Sequence, residues 1–173
     1  MWTIIEGFNH LQREEIDALV EAPALITVLV GMADGHLDGE ERTWSERLLR
    51  SRTYNNPREL NEFYRVVVEG FWARVQSEIT HLPTDAEARN REIEKRLARL
   101  NPILAKLDIE LAADLYKGFV GLAHETAKAS GGFLRIGAIS PEEKRWVGLP
   151  MLTPIVAPKK PGEETDVEET DEW

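Results

Sequence analysis

Apolar residues along this chain recur at the three- and four-residue spacing of amphipathic helices. Leu111, Leu115 and Phe119, for example, fall on one face of a helix that stops at a pair of glycines. The cluster Val66–Val68 would suit a strand, but the apolar residues around it keep helical spacing. The pattern therefore predicts an all-α protein, a compact bundle of about seven helices. The predicted helices span residues 10–21, 23–34, 39–52, 57–80, 85–107, 109–130 and 141–148, and Pro102 should kink or split the fifth.

Four short motifs mark helix starts. In each, a Ser, Thr, Asp or Asn is followed three residues later by Glu, so the two side chains can satisfy each other's free backbone N–H groups. The motifs begin at Asp38, Asn56, Thr84 and Ser140, and the second and fourth have proline at the first helical position. They predict capping boxes at these four positions.

One of these helix starts belongs to an internal repeat. Gly35–Trp44 matches Gly137–Trp146 at a constant offset, with seven positions alike in identity or chemical type. Each copy follows a long apolar helix and opens another, so we expect two pseudo-symmetric helix–loop–helix units. Trp44 and Trp146 are expected in the core, because an aromatic residue one turn inside a helix start usually packs inward.

The end of the chain has a different character. Four prolines after Trp146 forbid a regular helix, so residues 149–157 are expected to lie as an extended apolar strip on the body. We therefore expect one helical domain, residues 1–157, followed by a disordered acidic tail, residues 158–173. The apolar run Ala22–Ala33 falls short of the ~20 residues that span a bilayer and is expected to be a buried helix.

Charge and composition exclude several classes of function. The net charge is −10, and residues 163–173 hold seven of the acids, which leaves 24 acids and 21 bases elsewhere. Such a body lacks the clustered bases that bind nucleic acid. The chain has no cysteine, which excludes disulfides, thiolate metal sites and cysteine nucleophiles. The amino terminus does not resemble a secretory signal, so the expected location is the cytoplasm.

No catalytic constellation is found in the sequence. Glu78 and His81 have the Glu-x-x-His spacing of a di-iron bundle, but no second motif accompanies them. A helix-end histidine is the better interpretation of His81. The run Glu87–Arg99 alternates acids and bases and predicts an exposed helix with Glu87–Arg91 and Glu92–Arg96 ion pairs. The chain is therefore not expected to be an enzyme.

The segment Val30–Arg42 resembles the signature of tellurite-resistance TerB-like domains, and Gly137–Trp146 falls where that family also has a Glu-bearing helix start. The resemblance extends over residues 15–150, with its specific part in these two stretches. It implies an all-helical bundle with pseudo-symmetric halves, associated with tellurite resistance and with envelope or phage stress. It also implies an acidic cluster proposed to hold a divalent metal, but no established reaction.

Carried over by position, the candidate metal-ligating acids are Asp34, Asp38, Glu41 and Glu143. The second copy of the repeat lacks acids at the positions that match Asp34 and Asp38, so at most one site is expected. A hard cation, calcium or magnesium, would take these carboxylates together with loop carbonyls. The spacing does not fit an EF-hand, whose twelfth position here would be Ser45 instead of Glu.

A second interpretation of the acids needs no metal. Asp38 and Glu41 form a capping box, and the positive end of the helix dipole favours their charge. The leading expectation is a non-enzymatic, TerB-like stress-response module with a protein partner, no membrane span, and a candidate cation site at Asp34–Glu41. The alternative is a helical interaction scaffold, or an accessory to a metal-dependent enzyme, whose acids serve only as helix caps.

Overall fold

The computed structural model describes residues 7–32, 37, 39–54, 56–130 and 141–158. These residues form eight α-helices and no strand, so the all-α fold class is confirmed. The helices are α1 Arg13–Gly31, α2 Gly39–Ser51, α3 Arg58–Val68, α4 Phe71–His81, α5 Ala86–Ala98, α6 Leu100–Leu104, α7 Ile109–Ser130 and α8 Pro141–Val147.

The first two predicted helices are one continuous helix, α1, with Pro23 inside it. Pro23 cannot donate a backbone hydrogen bond, yet every residue from Ala22 to Gly31 is buried, and this packing outweighs the lost bond. The Thr27 hydroxyl donates to the Pro23 carbonyl at 2.9 Å, which satisfies this buried side chain. The apolar run is thus a buried helix, as expected. Along the described part of the chain, no helix is long and apolar enough to cross a membrane.

The predicted helix 57–80 is two helices, α3 and α4, which meet at Gly70. Gly70 has a φ of 73°, in the left-handed region that glycine adopts without strain. The Arg74 guanidinium bonds back to the carbonyl oxygens of Val66, Val67 and Glu69. It thereby satisfies carbonyls at the end of α3 that have no helical partner. The left-handed conformation of Gly70 and the cap supplied by the Arg74 side chain together end α3 before the predicted boundary.

The capping boxes predicted at Asn56 and Thr84 are wrong, because the cap position of each helix lies one residue later. Asp85, not Thr84, caps α5 by accepting from the Ala88 N–H at 2.8 Å, in keeping with the stronger capping preference of Asp. The cap position of α3 is Pro57, while Asn56 exchanges two hydrogen bonds with Asn61. The boxes that begin at Asp38 and Ser140 lie outside the described residues.

The fifth predicted helix is split, as expected, into α5 and α6. The break falls at Arg99, and Pro102 lies in the first turn of α6, where a missing N–H costs little. Beyond α8, Leu149 and Leu152 are buried, and Ile155 packs against the core. Residues 153–158 have no regular secondary structure. The segment therefore lacks a regular helix and packs partly on the body, as expected, but it is not extended throughout, because residues 150–152 form a turn and a bend after Leu149, whose φ is 47°. Residues 159–173 lie outside the described part of the chain.

Helix α1 occupies the centre of the bundle and packs against α3, α4, α5, α6, α7 and α8. Trp146 of α8 is buried in this core, but Trp44 of α2 is 46% exposed, so its predicted core position is wrong. The buried side of α2 runs through Ser45 and Leu49, four residues apart. Trp44 is rotated from that side by one residue, about 100°, and faces outward.

Glycine allows α7 to approach closely the side chains of Tyr64 in α3 and of Arg52 in the turn after α2. A Cβ atom added at Gly118 would lie 2.2 Å from the hydroxyl oxygen of the buried Tyr64. Burial raises the pKa of this hydroxyl. Arg52 lies over the Tyr64 ring and donates to the Gly118 carbonyl at 2.6 Å. At Gly121 a Cβ would meet only the end of the Arg52 side chain, at 3.1 Å.

We therefore expect Gly118→Ala to lower the free energy of unfolding by about 1–3 kcal/mol, because the new methyl group overpacks the contact with Tyr64. Gly121→Ala is the matched control. It should be neutral or stabilising by up to about 1 kcal/mol, since alanine favours helix and the Arg52 side chain can move. Urea denaturation of both variants measures these changes.

Removing the hydroxyl group tests the cause. In the background Tyr64→Phe, the cost of Gly118→Ala should shrink by at least about 1 kcal/mol, which a double-mutant cycle resolves. Equal costs of Gly118→Ala in the two backgrounds would contradict the proposed clash.

Candidate functional site

The four predicted metal ligands are only partly within the described residues. Asp34 and Asp38 lie outside them. Glu41 is the third residue of α2 and Glu143 is the third residue of α8, but their side chains also lie outside the description. In the part of the chain that the structure covers, no three His, Asp or Glu side chains are grouped so that they could hold a metal ion. The predicted ligand set therefore stays a prediction.

The helices that carry Glu41 and Glu143 can be compared directly. They begin at Gly39 and Pro141, which are matching positions of the internal repeat. Both α2 and α8 pack against α7, and α7 packs against α1. The two copies therefore begin helices at matching positions, but Trp44 is exposed where its counterpart is buried, and the predicted pseudo-symmetric units stay a prediction.

A buried arginine lies where α1 ends and the acidic loop begins. Arg89 of α5 is only 6% exposed, and its Nη2 donates to the carbonyl oxygen of Met32 at 3.0 Å. This carbonyl is one of those that a helix end leaves without a helical partner, and a positive charge is favoured at a helix C-terminus. Among the residues that the structure describes, the buried Nε of Arg89 and Oδ1 of Asn90 have no hydrogen-bond partner. This end of the bundle therefore holds a cation with unused donor capacity.

Arg89 was missed because the run Glu87–Arg99 predicts an exposed helix. The Glu87–Arg91 ion pair is present at 3.4 Å on the exposed side, as predicted. On the opposite side, Arg89, Ile93 and Leu97 follow one another at four-residue spacing, and all three are buried. That spacing with two apolar residues is the sequence signal that could have identified Arg89.

The predicted pair between Glu92 and Arg96 is wrong. Arg96 instead forms a bidentate pair with Glu78 at 2.6 and 2.8 Å and contacts Glu21 at 3.1 Å. The hydrogen bonds to Glu78 raise the pKa of Arg96 above its usual value. These pairs connect α5 with α4 and with α1, so long-range packing outcompetes the local helical pair.

The contacts of Arg96 also show what the two residues of the Glu-x-x-His motif, Glu78 and His81, bind. Both carboxylate oxygens of Glu78 are engaged by Arg96, in a side chain that is 10% exposed. His81 Nδ1 lies 2.7 Å from the Ser77 carbonyl oxygen at the end of α4. The motif therefore belongs to an ion pair and a helix end, and the interpretation of His81 as a helix-end histidine is confirmed.

Comparison of the chain with protein-family models, with curated proteins and with solved structures gives no match. The resemblance to TerB-like domains thus rests on the two short stretches at Val30–Arg42 and Gly137–Trp146.

The ion pair of Glu78 should contribute more to stability than that of Glu21. Glu78→Gln is expected to lower the free energy of unfolding by about 2–3 kcal/mol, because it weakens a bidentate bond to a partly buried cation. Glu21→Gln, on a side chain that is 46% exposed, should cost less than about 1 kcal/mol. Chemical denaturation of the two variants is the measurement, and similar losses in both would contradict the assignment.

Proposed function

We propose that this chain is a non-enzymatic, TerB-like stress-response module whose acidic loop, Asp34–Glu41, binds a divalent cation, calcium or magnesium. The observation that supports this proposal is the equivalence of the two Glu-bearing helix starts. Glu41 and Glu143 are each the third residue of a helix, and both helices pack on α7. A repeat that keeps an acid at this position in both copies agrees with the pattern implied by the family resemblance.

Helix electrostatics distinguish the acids from one another. Asp38 and Glu41 are at the start of α2, where the positive end of the dipole favours carboxylates without a metal. Asp34 follows the end of α1, where the dipole is unfavourable for an acid and favourable for a cation. Among the acids of the loop, Asp34 would therefore gain most from a bound ion.

Arg89 competes with a metal for this role. Asp34 lies two positions after Met32, so the chain allows the Asp34 backbone to reach no farther than about 7 Å from the carbonyl that Arg89 already binds. A guanidinium whose Nε has no partner among the described residues is a suitable partner for a carboxylate. The cation that offsets Asp34 is then either Arg89 or a bound ion, and these alternatives can be separated.

A helical interaction scaffold is the second candidate function, with the acids acting only as caps. The specific observation in its favour is the outer surface of α2 and the turn after it, where Trp44 is 46% exposed and Tyr54 is 69% exposed. Exposed aromatic side chains are enriched at protein–protein interfaces. This function needs no ion at the loop.

The double variant Asp38→Asn with Glu41→Gln keeps the hydrogen bonds of a capping box and removes two charges. If the loop binds an ion, calcium or magnesium should raise the melting temperature of the wild type by mass action, and the double variant should lose this response. If the acids are only caps, the variant should lose no more than about 1 kcal/mol, and neither protein should respond to the ion. Titration calorimetry provides the direct measurement. Wild-type affinity weaker than about millimolar would contradict the metal proposal.

Variants at Arg89 and Asp34 distinguish whether Arg89 or a bound ion offsets the charge of Asp34. In the metal proposal, Arg89→Met removes a competing charge, so the affinity for the ion should increase, whereas Asp34→Asn should decrease it. In the alternative, Asp34→Asn and Arg89→Met should both destabilise the protein, with an interaction energy of about 0.5–3 kcal/mol in a double-mutant cycle and no ion binding. Glu143→Gln is the matched control for removing one acid outside the first loop.

A further inference from the structure

Three exposed bases follow one another along the outer face of α5. Arg91, Lys95 and Arg99 are spaced four residues apart, so they lie on one side of the helix, opposite the buried Ile93 and Leu97. We call these three bases the basic row. Like charges at this spacing repel each other and destabilise a helix. An acidic segment that lies along the row would relieve this repulsion.

The C-terminal part of the basic row lacks an acidic partner on the body. Its first base is paired with Glu87 at 3.4 Å, whereas Lys95 and Arg99 form no ion pair with any residue that the structure describes. The half-buried Glu92 and Glu94 belong to the same helix, but neither pairs with these two bases. Two adjacent cations of the row are therefore available to an acid from another part of the chain.

The basic row ends close to the strip after α8, residues 149–157. Arg99 lies two residues before Asn101, whose side chain is hydrogen-bonded to the main chain of Met151 and of Thr153. Asn101 and Val156 also line the same hollow, of about 570 Å³, between α6, the start of α7 and the strip. The last described residues of the chain are therefore near the C-terminal end of the row.

An acidic segment follows the strip at a suitable distance. Residues 163–173 hold seven acids and no base. Glu163 comes seven positions after Val156, so an extended chain can place it up to about 23 Å away. The row is about 12 Å long from Arg91 to Arg99, at the rise of an α-helix. Residues 163–173 are therefore long enough, and begin close enough, to lie along the whole row.

We propose that the acidic segment 163–173 docks on the basic row of the same chain. Charge complementarity selects this surface, because in the described part of the chain no other two exposed bases without an ion pair lie one turn apart on one helix face. The contact needs no regular secondary structure, since exposed charges interact over about 10 Å at 0.1 M salt. A short linker gives an effective concentration on the order of millimolar, which favours contact within one chain.

Docking makes the acidic segment a built-in competitor for the row. An exposed ion pair strengthens a contact by no more than about fivefold, so the docked state is reversible. An external acidic ligand or protein can bind the row only when it displaces the segment. The surface is thus reserved for partners whose negative charge exceeds that of residues 163–173.

Paramagnetic broadening in the full-length chain tests the proposal. The chain has no cysteine, so Thr170→Cys provides a single site for a nitroxide label among the acids without removing a charge. At low salt the label should broaden the amide signals of Lys95 and Arg99 more than those of Arg47 and Arg65, which are exposed bases of α2 and α3. In 1 M salt, where charges are screened beyond about 3 Å, this selective loss of signal should disappear.

Reversing the charges of the row tests the cause. Lys95→Glu with Arg99→Glu should lower the ratio of docked to undocked chains at least about fivefold, because it removes two attractions and adds two repulsions. Arg47→Glu with Arg65→Glu is the matched control, since it changes the net charge equally and should leave the broadening of α5 unchanged. All four side chains are exposed, so circular dichroism should show unchanged helix content.

A mixture of chains shows whether the contact forms within one molecule. An isotope-labelled chain without the nitroxide, mixed with a nitroxide-bearing chain without the isotope, should show no selective broadening of α5. Three results would each overturn the proposal. They are no selective broadening at low salt, equal losses of broadening in the two double variants, and broadening in the mixture as strong as in the singly labelled chain.

Discussion

From Ala22 to Gly31 the central helix α1 has no side that faces solvent, and this constraint shapes the helices around it. A helix that is apolar on all sides is stable only when neighbours cover it completely. Six helices do so here, and each needs only one apolar stripe, such as Ile93 and Leu97 on α5. The complete burial of α1 from Ala22 to Gly31 also explains why Pro23 does not break the helix, because unwinding would expose apolar surface on several neighbours at once.

Arginine side chains perform the polar part of this packing. Arg74 covers the end of α3, Arg89 covers the end of α1, and Arg96 links α5 to acids on α4 and α1. A buried backbone carbonyl needs a donor, and a long side chain can supply one from a different helix. These three arginines, one buried and two partly buried, therefore determine how the helices are joined.

Features that depend on local signals could be predicted from the sequence, namely the fold class, the proline start of α8 and the lack of a regular helix after it. Features that depend on distant neighbours could not. Pro23 is tolerated because of tertiary packing, and Trp44 is exposed because Ser45 and Leu49 define the buried side of α2. For the candidate site, the helix-start patterns correctly predicted that Glu41 and Glu143 lie in the first turns of helices. The buried arginine beside the loop binds a carbonyl 57 residues away, which no local pattern indicates.

The Asn101 side chain holds the strip after α8 by two hydrogen bonds, donating to the Met151 carbonyl at 3.0 Å and accepting from the Thr153 N–H at 2.8 Å. These bonds affect how freely this part of the sequence can change during evolution. Both hydrogen bonds go to main-chain atoms, which every amino acid supplies, apart from the N–H that proline lacks. The exposed Thr153 side chain therefore takes no part in holding the strip, whereas the Met151 side chain also packs against the core. Mutations can accumulate at residue 153 without undocking the strip, provided that Thr153 is never replaced by proline and Asn101 itself is kept.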